Sequence, residues 1–183
     1  MTNRFYELNV AGVTRSLPIL NVTDKLAIAG FIMLGDVELT KACAKALAKK
    51  LPAETDVILT AETKGIPLAA ALASELGMQR YVVARKSVKA YMENALWVED
   101  VSITTKGVQK LCLDDVDAAR IKGKNILLLD DVISTGGSMK ALCELTEKAG
   151  GNIIGQACVL AEGDAAKRDD IIFLEALPLF DAE

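Results

Sequence analysis

The chain carries two kinds of hydrophobic patterning. Residues 55–60, 80–84, 125–130 and 153–161 are short, largely unbroken apolar runs. Each predicts a strand, and the four consecutive apolar residues 126–129 predict one buried on both faces. Between them, apolar positions recur at three- and four-residue spacing. In residues 36–50, Val37, Leu39, Ala42, Cys43, Ala46 and Leu47 share one face, which predicts a helix. Residues 66–76 and 139–148 predict two more, ended by Gly77 and by Gly150 and Gly151. This alternation of strand and helix predicts an α/β fold with a parallel sheet and right-handed crossovers. Residues 101–113 predict two strands with a turn near Lys106 and Gly107, and residues 171–174 a last short strand. Residues 4–35 lack strong periodicity and contain Pro18, so an irregular cap with a short helix is expected there. The apolar stretch 26–35 reads as a buried helix or an intersubunit face. It is too short to cross a bilayer. Residues 89–107 are long and poorly periodic, as a lid would be. With no repeat or linker, one domain spanning 1–183 is expected, with a hood of about 1–35 and a core of about 36–175.

Composition narrows the chemistry. Net charge is −4, so an overall basic surface for nucleic acid is absent. There is no histidine, and Cys43, Cys112, Cys143 and Cys158 form no C-x-x-C pair. Zinc sites and Ser-His-Asp or Cys-His catalysis are therefore not expected. The dispersed cysteines read as reduced core residues of a cytoplasmic protein, a disulfide being the alternative. No signal peptide and no membrane partner are expected.

One run concentrates chemistry. The apolar residues 126–129 end in Asp130 and Asp131, followed by Val132, Ile133, Ser134, Thr135, Gly136, Gly137 and Ser138, and then a helix. Ligands of open α/β sheets bind beyond the carboxyl ends of strands. Glycines let backbone N–H groups approach an anion, hydroxyls add donors, and the helix start adds unpaired N–H groups. That composition predicts a phosphate cradle. The carboxylates beside it would repel phosphate unless the same ligand presents sugar hydroxyls or a metal. A helix cap alone explains one hydroxyl and neither carboxylate. The spacing is not that of a Walker A loop.

This run resembles the phosphoribosyl-diphosphate motif of the type I phosphoribosyltransferases. Glu62, Thr63, Lys64 and Gly65, between a strand and a helix, are similar to the pyrophosphate loop of the adenine phosphoribosyltransferases. Arg85, Lys86 and Lys89 are similar to the Arg-Lys-x-x-Lys segment that contacts pyrophosphate in purine phosphoribosyltransferases, although a solvated basic face reads the same way. Ala95, Leu96 and Trp97 resemble a Leu-Trp pair, but the Glu-Tyr pair of their lid has no counterpart here. Residues 63–69 also resemble the effector domain of the purine operon repressor, without room for its DNA-binding domain.

The resemblance implies the type I fold: a central parallel sheet flanked by helices, with a small N-terminal hood. It implies a homodimeric purine-salvage enzyme that moves 5-phosphoribosyl from its 1-diphosphate to a purine, adenine favoured. Asp130 and Asp131 are the implied catalytic pair, with Mg²⁺ entering on the substrate and possible ligation by that pair. The loops named above would hold the diphosphate and the 5-phosphate. Leu17, Pro18, Ile19 and Leu20 are expected to touch the base. A protein that senses phosphoribosyl diphosphate or a nucleotide without turnover is the alternative. A flavodoxin-like module would leave the acidic pair unexplained.

Overall fold

The computed structural model describes residues 4–100 and 109–183. Its centre is a parallel sheet built from β4 (Val57–Ala61), β5 (Val82–Ala84), β8 (Asn125–Ile133), β9 (Asn152–Glu162) and β10 (Glu175–Leu177). The strand order is β10-β9-β8-β4-β5, and every neighbouring pair is parallel. From β4 the chain moves outward to β5, but from β8 it moves the other way, to β9 and then β10. The order therefore reverses between β4 and β8, the place where open α/β sheets leave a crevice.

Helices α1 (Val37–Ala48) and α2 (Gly65–Glu75) cover one face, and α3 (Asp115–Ile121) and α4 (Gly137–Ala149) the other. β8 shows why its apolar run is continuous. Leu127 and Leu129 pack with α1 and α2, while Ile126 and Leu128 pack with α4. All four are fully buried. Successive side chains of a strand face opposite ways, so a strand covered on both faces must be apolar throughout.

The three long helices and the central strands agree with the expectation from periodicity. The N-terminal segment does not. Among the described residues it holds no helix but an antiparallel sheet of β1 (Phe5–Val10), β2 (Val13–Asn21) and β3 (Leu26–Ala29). β1 and β2 form a hairpin closed by Ala11 and Gly12, both at positive φ as a type I′ turn requires. Leu8, Val10, Leu17 and Ile19 alternate with polar positions and are buried. The stretch 26–35 is β3 followed by coil, not a helix. β11 (Leu179–Asp181) pairs with β3, so this hood is not purely N-terminal.

Two further boundaries move. β6 (Leu96–Asp100) and β7 (Gln109–Leu113) pair antiparallel, so the first strand lies before residue 101 and inside the expected lid. The expected turn at Lys106 and Gly107 falls outside the described residues. Residues 171–174 make only a bridge, Ile172 to Ala157, and strand pairing on β9 begins at Glu175. α3 has no apolar period to announce it; Asp114 accepts from the Asp117 N–H and starts it.

Candidate active site

At the reversal of strand order lies a cleft of about 390 Å³, in the size range of small-molecule sites. The loop after β4 supplies Glu62, Thr63 and Lys64. The end of β8 and its loop supply Asp130, Asp131, Ser134, Thr135, Gly136, Gly137 and Ser138. Lys86 enters from the end of β5, Glu162 from β9 and Leu177 from β10. Residues 28–32 of the hood close the other side.

The phosphate-loop geometry follows from two glycines. Gly136 has φ +81°, where L side chains are strained, and it turns the chain directly into α4. A Cβ there would also stand 3.2 Å from Arg168 Nη1. Gly65 begins α2 so close to β4 that a Cβ would meet Thr60 Oγ1 at 2.1 Å. Neither α2 nor α4 has a side-chain cap. At α2 the Ile66 N–H already donates to the Thr63 carbonyl at 3.2 Å and Pro67 has none, so it is the start of α4 that offers N–H groups to a ligand, and the positive ends of both dipoles favour an anion.

Of the acidic pair, Asp131 is buried and Asp130 half-buried. Asp131 is 4% exposed, and its Oδ2 has no hydrogen-bond partner, with Lys64 Nζ 4.0 Å away. Its N–H donates to Asp130 Oδ1 at 2.9 Å. Burial, and then the adjacent Asp131 charge, push the Asp130 carboxyl well above the usual carboxylate range. Among the described residues no three His, Cys, Asp or Glu side chains gather into a metal cage. The orphaned Asp131 oxygen fits Mg²⁺ in its usual manner, held by one or two carboxylates with phosphate and water completing the shell.

The expected basic cluster divides. Glu62 accepts from Arg85 Nε at 3.1 Å and from the Lys86 N–H at 2.9 Å. The Lys86 N–H, with the nearby Arg85 and Lys89 charges, lowers its pKa against the cost of burial. Arg85 also donates to the Tyr91 hydroxyl, and Lys89 to Ser87 Oγ. Arg85, Lys89 and Gly65 are therefore structural neighbours of the cleft rather than part of its lining, which keeps Lys64 and Lys86 as its cations. Trp97 belongs to the β6–β7 pair, under Lys110 Nζ at 4.0 Å from the ring centroid.

Leu17, Pro18, Ile19 and Leu20 do not line the cleft either. Strand alternation turns Leu17 and Ile19 into the core and leaves Leu20 exposed. The hood wall is the next strand, β3, and the coil after it: Ile28, Ala29, Gly30, Phe31 and Ile32. Sequence reasoning also passed over Glu162 and Arg168. The position of Glu162 at the last residue of a buried strand is a signal that could have found it. Arg168 is clamped by Asp170 through Nε (2.8 Å) and Nη2 (2.7 Å), with Nη1 towards Gly136, and carries no comparable local signal.

A parallel sheet with two helix starts that lack a side-chain cap and an acid pair at its switch point suits a ligand that carries both phosphate and sugar hydroxyls. The chain belongs to the phosphoribosyltransferase family: residues 36–178 match the phosphoribosyl transferase domain. Within that family it is similar to purine enzymes. It is 33% identical to the hypoxanthine/guanine phosphoribosyltransferase of Methanococcus voltae, over 77% of this chain and 71% of that protein. It is 34% identical to the adenine phosphoribosyltransferase of Bifidobacterium longum, over 70% of this chain and 65% of that one. The crystal structure of adenine phosphoribosyltransferase from Thermoanaerobacter pseudethanolicus superposes with a TM-score of 0.65 at 26% identity, covering 79% of this chain and 84% of that one. The enzyme from Rhodothermus marinus shares the fold at 21% identity, with a TM-score of 0.62 over 93% and 92% of the two chains.

Proposed function

We propose that this protein transfers the 5-phosphoribosyl group from 5-phosphoribosyl 1-diphosphate to a purine base, adenine favoured, and releases pyrophosphate. One observation carries the reading: an uncapped helix start, two lysines and an acidic pair with one member buried and unpaired meet in one cleft. Phosphate recognition alone has no use for the acids, and sugar recognition alone has no use for the lysines.

The chemistry follows from charge. Breaking the C1–O bond builds positive charge on the ribose ring and negative charge on the departing diphosphate. Asp130 and Asp131 accept hydrogen bonds from the ribose hydroxyls and favour the developing cation. Lys64 and Lys86, with the backbone of Glu62 and Thr63, hold the pyrophosphate, and Gly65 lets that loop turn into α2. Mg²⁺ carried in on the diphosphate supplies further charge neutralisation. Ser134, Thr135, Gly136, Gly137 and Ser138 fix the 5-phosphate, and so fix C1 against the base. Residues 28–32 form the apolar slot for the base ring.

Adenine is favoured by the likeness of residues 62–65 to the adenine enzymes and by a hood wall without charged side chains. The hypoxanthine/guanine relatives make oxopurines the competing outcome. The reading places the enzyme in the cytoplasm as a homodimer, with no nucleic-acid or membrane partner. Among the described residues no helix is long and apolar enough to cross a membrane. Pyrophosphate release, measured with ribosyl diphosphate, Mg²⁺ and each of adenine, hypoxanthine, guanine, xanthine, uracil and orotate, tests it. Turnover with adenine above all others is expected. Preference for an oxopurine removes adenine; binding of ribosyl diphosphate without release from any base removes the transferase.

A further inference from the structure

We propose that Glu162 is the base-reading carboxylate: it accepts a hydrogen bond from an N–H on the edge of the bound base and so sets which base is used. The inference rests on the transferase reading above and names the specificity determinant of the same cleft.

Glu162 is the last residue of β9, next to β10, where its register partner is Leu177. Both residues line the cleft, together with the apolar hood residues 28–32. The other charged lining groups stand elsewhere. Asp130 and Asp131 end β8, while Glu62, Lys64 and Lys86 follow β4 and β5. Among the described residues, Glu162 is the charged side chain contributed from the β9–β10 side of the lining.

Its carboxylate is half-buried and makes no hydrogen bond or ion pair with a described residue. This sets it apart from Glu62, which Arg85 and the Lys86 N–H already occupy. Burial raises the Glu162 pKa above the ordinary value, and the Lys64 charge pulls it back only in part. An acceptor left unpaired at a partly desolvated position costs stability until a ligand donor completes it. The sugar hydroxyls have the β8 carboxylates; the base brings the remaining N–H donors. Adenine offers its 6-amino group, hypoxanthine its N1–H, and guanine an N1–H beside a 2-amino group. An apolar slot alone discriminates poorly among rings of equal size, whereas a fixed acceptor rejects a ring without a matching donor.

The test uses the full chain as wild type, E162L and E162Q. Steady-state constants are measured for adenine, hypoxanthine and guanine, each with saturating ribosyl diphosphate, and for ribosyl diphosphate itself. E162L removes the acceptor. It should raise the KM of the preferred base by about tenfold or more, and change the adenine-to-hypoxanthine ratio of kcat/KM by a similar factor. The KM of ribosyl diphosphate should stay within about twofold. E162Q keeps one acceptor oxygen, is the milder change for folding, and should fall between. An active wild type whose two variants keep its base ratio overturns the inference alone. So does a KM for ribosyl diphosphate that rises in step with that of the base, since Glu162 would then serve the sugar or the fold. A wild type that turns over no purine overturns the transferase reading and the inference together.

Discussion

The two walls of the cleft are built on opposite plans. One wall is two loops, residues 62–65 and 134–138, each directly following a parallel strand and leading into a helix. The other is apolar and antiparallel: residues 28–32, with β3 held between β2 and β11. The helices show the same division. α1 and α3 are capped by Asp36 and Asp114, whose carboxylates accept from Leu39 and Asp117 N–H groups. α2 and α4, which start on the cleft, are uncapped. The capping residues of α1 and α3 do not line the cleft, whereas the start of α4 is left for an anion to complete; at α2 the Ile66 N–H already donates to Thr63 and Pro67 has none. On the proposed function, the polar wall would read the phosphoribosyl part of the substrate, and the apolar wall, with Glu162 at its edge, would accommodate the base.

The strongest way to break this division is at the acidic pair. Asp130→Asn with Asp131→Asn keeps the shape and removes the charge. It should lower kcat by about 10²–10³, roughly 3–4 kcal/mol, with a smaller change in the KM of ribosyl diphosphate. A loss confined to KM would make the pair a mere positioning device.

The hood separates into core and lining. Leu17→Ala should cost about 2–5 kcal/mol of stability in denaturant melts, because Leu17 is 6% exposed in the core. It should leave the KM of the base alone. Ile32→Ser should do the reverse, since Ile32 lines the cleft yet is 67% exposed. If both variants shift the base KM equally, the distinction between strand β2 and the wall after β3 fails.

Within the polar wall, Thr135→Ala removes one donor to a charged phosphate. Titration calorimetry should show a loss of about 1.5–3 kcal/mol in ribosyl diphosphate binding and no change in free-base affinity. Gly136→Val should weaken binding further, through its positive φ and its contact with Arg168. Wild-type affinity in both would remove the loop from the site.

The smallest effect is on the ligand-free protein. Asp130 has a raised pKa when folded and an ordinary one near 3.8 when unfolded. Between those values the folded state holds a proton that the unfolded state has lost. Its favourable contribution is thus present below the unfolded value and is lost as pH rises through the folded one. Asp130→Asn should raise Tm by a few degrees near neutrality and not in acid. Parallel Tm curves for the two proteins across roughly pH 4 to 8 would contradict the burial of that carboxyl.

The same division governs what could be read from the sequence. The polar wall is local: strand, acids, glycines and helix follow one another within about fifteen residues, so residues 126–138 disclose both the fold around them and their chemistry. The hood is not local. Leu8 and Val10, or Leu17 and Ile19, alternate over too few residues to stand out. The Ala11-Gly12 turn lacks the usual Asn or Asp signal, and Pro18 interrupts the reading of β2 as a strand. Its fourth strand comes from the far end of the chain. For the same reason Leu17 to Leu20 were expected at the base and residues 28–32 were not. Arg85 looked like a free cation because nothing in the sequence links it to Glu62 across two strands.

The pairing of β11 with β3 also sets an order of events during synthesis. Leu179 meets Ile28 across roughly 150 residues of sequence, so this contact carries one of the longest loop closures in the molecule. The strands bearing both anion loops emerge from the ribosome well before β11 does. The anion wall can therefore assemble while the roof over the base is still missing its closing strand. On the proposed function, the loops that would hold phosphate can thus form before the strand that completes the roof over the ring.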